Sequence, residues 1–120
     1  MIVEHEPDTM TISVARDFSE DPGSRYIEDG PHSAEEFMPV LEPLFLEARQ
    51  RGVKLLVDLD GVSGYATSFL QGSFGNLAAK YGSDAVNAVL RFKSEDDPYI
   101  LRYIARYIRE AHEVKKDKAK

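Results

Sequence analysis

Residues 55–77, LLVDLDGVSGYATSFLQGSFGNL, decide the fold. They continue the run VKLLVDL (residues 53–59), in which Leu55, Leu56, Val57 and Leu59 follow one another almost without a break. Such a run predicts a central strand covered on both faces. Asp60-Gly61 closes it, and residues 62–66 form a short loop of small residues. A helix is expected over 67–81, because Leu70, Phe74, Leu77, Ala78 and Tyr81 recur on one face. Gly72 and Gly75 lie off that stripe and would let another backbone come close. Gly82 ends the helix.

Upstream, residues 10–15 (MTISVA) alternate, with Ile12 and Val14 on one side, and predict a half-buried strand. DFSEDPG (17–23) is turn chemistry, and residues 24–27 predict a short second strand closing a hairpin with the first. Ser33 followed three residues later by Glu36 is a capping box. Phe37, Val40, Leu41, Leu44, Phe45 and Ala48 then trace the apolar face of a helix ending near Arg51, with Gly52 just beyond it. Pro39 and Pro43 inside that span predict a kink, or a main helix that starts only near Pro39. Downstream, residues 85–92 (AVNAVLRF) predict another strand. Residues 94–97 are an acidic cap for a last helix, with Pro98 in its first turn. Leu101, Ile104, Ala105, Ile108 and Ala111 are its expected buried face. The expected fold is α/β: a small mixed sheet of four or five strands, parallel in its second half, packed with about three helices. Val57, Leu59, Phe37, Leu41, Leu44, Leu70, Phe74, Leu101 and Ile104 are the expected core.

The chain has 120 residues, so one domain over 1–120 is expected, with 1–9 a loose lead-in or edge strand and 115–120 a loose tail. Its net charge of −6 argues against a nucleic-acid module and against an anionic membrane surface. There are no cysteines, which excludes a disulfide framework, a redox thiol and a thiolate-held zinc. No apolar run has the length of a membrane span, and the first residues lack the pattern of a signal peptide, so a cytoplasmic location is expected.

Candidate chemistry is sparse. Asp58-Leu59-Asp60-Gly61 at a strand end has the spacing of a magnesium-dependent DxDG phosphatase. In that reading Asp58 attacks phosphorus and Asp60 acts as general acid. The competing reading is a strand end that turns into a loop, with Asp58 bonding neighbouring backbone or a helix end and Asp60-Gly61 as the turn, and it is preferred because Glu95, Asp96 and Asp97, the only later acidic cluster, suit a helix cap. His5, His32 and His112 have no ligand spacing, so no metal or cofactor is expected. Neither GxSxG nor a P-loop occurs. Tyr99, Tyr103 and Tyr107, with Arg102, Arg106 and Arg109 beside them, could serve a partner or simply lie over the core edge. Thr67 and Ser68 fall at a helix start, where backbone N–H groups and the helix dipole favour negative charge. A serine there suits a cap, and it is also a position where an added phosphate changes the local field sharply.

The stretch VDLDGVSGYATSFLQGSFGNL resembles STAS domains, those of sulfate transporters and anti-sigma-factor antagonists, and is most similar to short STAS-like chains with a DLDGV…SFL…FG pattern. DFSEDPGSRYIEDGPHSAEEF fits the same order of elements, and the likeness runs from about Thr11 to Lys93. In the antagonists, a partner with a histidine-kinase-type ATPase fold phosphorylates a serine at the helix start and so switches binding. The resemblance implies that Ser68 holds that place, with Thr67 the hydroxyl residue before it. Ala66 stands where regulated antagonists usually carry Asp, and Phe69 where they usually carry Gly. The resemblance further implies a protein-interaction module, not an enzyme, that docks on an anti-sigma-like regulator through Gly61, Val62, Gly64, Tyr65, Ser68, Gly72 and Gly75, with a STAS-like ligand-binding or structural domain without the switch as the alternative beside the phosphatase.

Overall fold

The computed structural model describes residues 9–118, with side chains described up to Ala111. The lead-in 1–8, His5, the side chain of His112 and those of the tail 115–120 lie outside the described residues. Three strands form the sheet: β1 (Met10–Ser13), β2 (Leu55–Asp58) and β3 (Leu90–Lys93). They stand in the order β1-β2-β3, and both pairings are parallel. The single-turn helix α1 (Val14–Asp17) and helix α2 (Ala34–Arg51) follow β1. After β2 come α3 (Thr67–Leu70), a π-helical turn (Gln71–Gly75) and α4 (Asn76–Tyr81), continuous through helical dihedrals, and then α5 (Ser83–Val89). Helix α6 (Ile100–Lys118) follows β3.

The sheet differs from expectation in size and in sense. It is wholly parallel and three-stranded among the described residues, not mixed and four- or five-stranded. Residues 24–27 form no strand. Ser24 and Arg25 instead give their carbonyls to the N–H groups of Ala34 and Glu35, tying the segment to the start of α2, and Ile27–Asp29 is a 3-10 turn. Most of residues 85–92 is helical: α5 runs to Val89 before the chain extends into β3. Val86 and Val89 are buried as an i, i+3 pair, a spacing that suits helix packing, and the alternating reading missed it. The strand expected over 10–15 stops at Ser13, whose side chain accepts from Arg16 N and starts α1.

The register fixes two faces. Met10, Ile12, Leu55, Val57, Leu90 and Phe92 share one, and the helix layer packs on it, with Phe74 edge-on to Phe92 at 5.0 Å. Thr11, Leu56, Arg91, Ser13, Asp58 and Lys93 share the other. Thr11 and Arg91 are exposed there, and Leu56 is half-buried, so among the described residues β2 is covered on one face only, where the reading of its apolar run expected both. Phe37, Leu41, Phe45, Leu55, Val57, Phe69, Phe74 and Leu77 are fully buried, and Leu59, Leu70 and Ile104 nearly so. Leu44 is only half-buried and Leu101 is exposed; α6 instead buries Ile100, Ile104 and Ile108, one residue per turn.

Helix α2 is a single unbroken helix across both prolines. Pro39 and Pro43 are exposed, so the carbonyls they leave without an N–H partner open toward water and the helix need not end. Its start is the expected capping box, with Ser33 Oγ accepting from Glu36 N (3.2 Å) and Glu36 Oε1 from Ser33 N (2.9 Å). Gly52, in the left-handed region at φ 71°, ends it. In the π turn, the buried Ser73 hydroxyl is satisfied by donating to Phe69 O (2.7 Å).

Candidate functional site

In a parallel sheet the loops that follow the strands gather at one edge, and here side-chain hydrogen bonds fasten three of them together. Asp60 Oδ1 accepts from Glu95 N (2.7 Å) and Asp96 N (2.8 Å), and its Oδ2 accepts from Lys93 Nζ (3.0 Å). Asp96 returns the connection, its Oδ2 accepting from Gly61 N (2.9 Å). The loop after β2 and the loop after β3 thus hold each other reciprocally. Gly61 sits at φ 86°, where a side chain is strained. Asp58 Oδ1 accepts from Asp60 N (3.0 Å) in an Asx turn, 3.8 Å from Lys93 Nζ. Ser63 reaches the loop after β1: its N–H donates to Glu20 O (2.9 Å) and its hydroxyl to Asp21 Oδ1 (2.6 Å). Tyr65 donates to Leu59 O (2.8 Å) and stacks obliquely on Phe69, which anchors the loop's last turn to the core.

The electrostatics follow from these bonds. The Asp96 N–H, with help from the Lys93 ammonium and the Glu95 N–H, holds the Asp60 carboxyl below the usual carboxylate range against partial desolvation. The bond to Asp60, with the Asp58 and Glu95 carboxylates adding, holds Lys93 above its ordinary value. Burial pushes the Tyr65 phenol up, and the Asp58 and Asp60 charges push it further. Both oxygens of Asp60 are engaged, Oδ1 by two backbone N–H groups and Oδ2 by the Lys93 ammonium. Through these bonds Asp58 and Asp60 shape the loop. Asp96 is engaged with Gly61 and Asp60, so the acidic cluster at 95–97 is a latch more than a cap for α6.

Around this latch, Gly61, Ser63, Gly64, Ala66 and Thr67 are exposed, and Val62, Tyr65 and Ser68 are half-buried. The residue capping α3 is Ala66, which has no side chain to bond the first turn, and Ser68 is the second helical residue. Gly72 and Gly75 do not belong to the exposed strip. A Cβ on Gly72 would stand 2.9 Å from Ala34 Cβ and 2.9 Å from Arg25 Cγ, and one on Gly75 would face α6 at Tyr107 O (3.5 Å). Their bare backbones serve packing within the chain. Tyr99, in the turn before α6, is 70% exposed, and Tyr103 on α6 is 50% exposed and stacked on Tyr107 at 6.5 Å. Lys93 and Ser63 escaped the sequence reading, and Asp96 was read there as part of a helix cap. Lys93 is legible only once the pairing of Asp58 with Lys93 across β2 and β3 is known.

A family model described as STAS-like domain of unknown function (DUF4325) matches residues 33–99. The match takes in more than half of the chain. The chain belongs to this STAS-like family. Comparison with curated proteins and with solved structures finds no match. The STAS-like span begins at the capping serine of α2 and ends at Tyr99, so it contains the whole Asp60–Asp96 latch and the exposed strip. No helix among the described residues is long and apolar enough to cross a membrane.

Proposed function

We propose that this STAS-like chain is a protein-interaction module of bacterial signalling that docks on a histidine-kinase-type ATPase regulator, similar to the anti-sigma factors that STAS antagonists bind. The strip from Gly61 to Ser68 makes the contact, and phosphorylation at Ser68 switches it, with Thr67 the neighbouring acceptor. The observation that carries this reading is the fastening of an exposed strip by side-chain bonds from three loops. A surface already held in one arrangement loses little further freedom on binding. A second feature favours the switch. The 67–81 helix begins without a side-chain cap, and the N–H groups of Thr67 and Ser68 have no acceptor among the described residues. A phosphate on Ser68 would sit where those donors and the helix dipole favour negative charge.

Ser68→Asp and Ser68→Ala test it against a histidine-kinase-type ATPase regulator of the anti-sigma kind, by calorimetry or pull-down. Ser68→Asp is expected to keep stability within about 1 kcal/mol of the parent. It is expected to weaken binding at least tenfold, about 1.4 kcal/mol, because an unpaired charge is buried in the interface. Ser68→Ala should bind like the parent. Equal binding by all three proteins would refute the switch.

A further inference from the structure

An open groove between the start of α2 and helix α6 separates two walls of opposite charge. One wall is the segment 26–35, closed on itself where Glu35 Oε1 accepts from Ile27 N (2.9 Å). It carries Glu28, Asp29 and Glu35, all exposed, and no lysine or arginine. The other wall is α6. Over residues 100–111 it carries Arg102, Arg106 and Arg109, all exposed, against one acid, Glu110, which Arg106 Nε already engages (2.9 Å). Tyr26 and Glu35 line the groove from the first wall, and Tyr107 and Glu110 from the second. No ion pair crosses the groove among the described residues. Glu28 and Asp29 on one side, and Arg102 and Arg109 on the other, form no ion pair among those residues either.

The same walls hold the exposed apolar surface. Of the six large apolar side chains that the described residues expose, four belong here: Tyr26 and Ile27 on the first wall, Tyr99 and Tyr103 on the second. Exposed apolar side chains gathered in one place mark an interaction surface, and Tyr and Arg are the residues favoured at binding hot spots. We propose that this face binds a second copy of the chain. The contact is isologous, with the two-fold axis running along the groove in the plane of the contact. That operation lays α6 of each copy on the 26–35 wall of the other, so positive meets negative twice. An axis across the groove would set each wall on its own like and bring equal charges together. Each wall complements the other and not itself, and this selects a second copy, in one orientation, as the occupant. The face shares no residue with the Gly61–Ser68 strip, so the proposal does not depend on the docking role.

Analytical ultracentrifugation of the intact chain over a range of concentrations tests it. The parent is expected to pass reversibly from one to two chains. Two charge-reversed proteins are then compared: Arg102→Glu with Arg109→Glu, and Glu28→Lys with Asp29→Lys. All four side chains are exposed and make no hydrogen bond or ion pair among the described residues, so circular dichroism should match the parent. Each reversed protein alone sets like charges together at both contacts and should self-associate at least tenfold more weakly. Mixed in equal amounts, they should form a dimer of one copy of each, because one contact is then native and the other is reversed on both sides. Tyr26→Ser, which alters neither set of charges, should also weaken the parent dimer. A parent that stays a single chain at millimolar concentration, reversed proteins that associate like the parent, or a mixture no more dimeric than its components would each overturn the proposal.

Discussion

Replacing Phe69 by alanine tests how the exposed strip is anchored to the core. Phe69 is fully buried, and its ring lies 6.0 Å from Phe18, 5.6 Å from Phe37 and 6.1 Å from Tyr65. A phenylalanine buries on the order of 150–200 Å². At about 25 cal/mol per Å² this represents roughly 4 kcal/mol, inside the 3–5 kcal/mol range for Phe→Ala in cores. Domains of this size have about 5–15 kcal/mol in all, so the variant should fold but unfold at much lower urea. The assay is urea denaturation followed by circular dichroism, with the slope compared between proteins to confirm that the same surface unfolds. Tyr65 links the outcome to the strip, since its ring rests on Phe69 while its hydroxyl holds Leu59 O. A cycle of Phe69→Ala, Tyr65→Phe and the double variant should therefore show coupling of about 0.5–1.5 kcal/mol. A loss below about 1 kcal/mol for Phe69→Ala, or strict additivity with Tyr65→Phe, would refute the anchoring.

Removing the capping hydroxyl with Ser33→Ala should cost about 1 kcal/mol by the same denaturation assay, as for other N-cap serines. Asp60 has its pKa lowered on folding, so the stability it contributes is complete above the ordinary aspartate range and is lost as pH falls through the lowered native value. The urea midpoint of the parent should accordingly fall with acid more steeply than that of Asp60→Asn, and parallel profiles would contradict the latch. Asp58→Asn should leave any hydrolysis of a phosphate-ester panel with magnesium unchanged. Turnover abolished by that substitution would make Asp58 a nucleophile instead of a turn former.

The helices were legible in the sequence wherever a cap and a stripe coincided. The capping box at Ser33, Gly52 beyond α2, and the spacing Leu70, Phe74, Leu77 each express a local constraint, and each holds in the structure. The strands were less legible, because Leu55–Leu56–Val57 reads alike whether one face or both are covered. Which face is open depends on where the helices lie, and that is not local information. AVNAVL allowed both a strand and a helical turn, and burial of Val86 and Val89 decided for the helix. At the candidate site, Asp60-Gly61 was recognisable as a turn. Its partners Lys93 and Asp96 come from a strand and loop more than 30 residues away, and only the parallel register brings them to it.

With three strands and one covered face among the described residues, the sheet has little apolar surface with which to order the loops at its edge. The chain divides the task. The helix layer is held by contacts among Phe37, Phe69, Phe74 and Phe92, which neither salt nor pH alters much. The carboxyl edge is held by Asp60, Asp96, Lys93 and Ser63, through charge-assisted bonds open to solvent at their margins. Such bonds are directional, so they set the shape of the strip closely while contributing modestly to global stability. The two parts meet at Tyr65 and Phe69: the ring of Tyr65 belongs to the apolar layer and its hydroxyl to the polar edge. A residue at 69 without a side chain, as in the antagonists this chain resembles, would leave Tyr65 without its apolar support. That gives a physical reason for an aromatic residue immediately after Ser68 here.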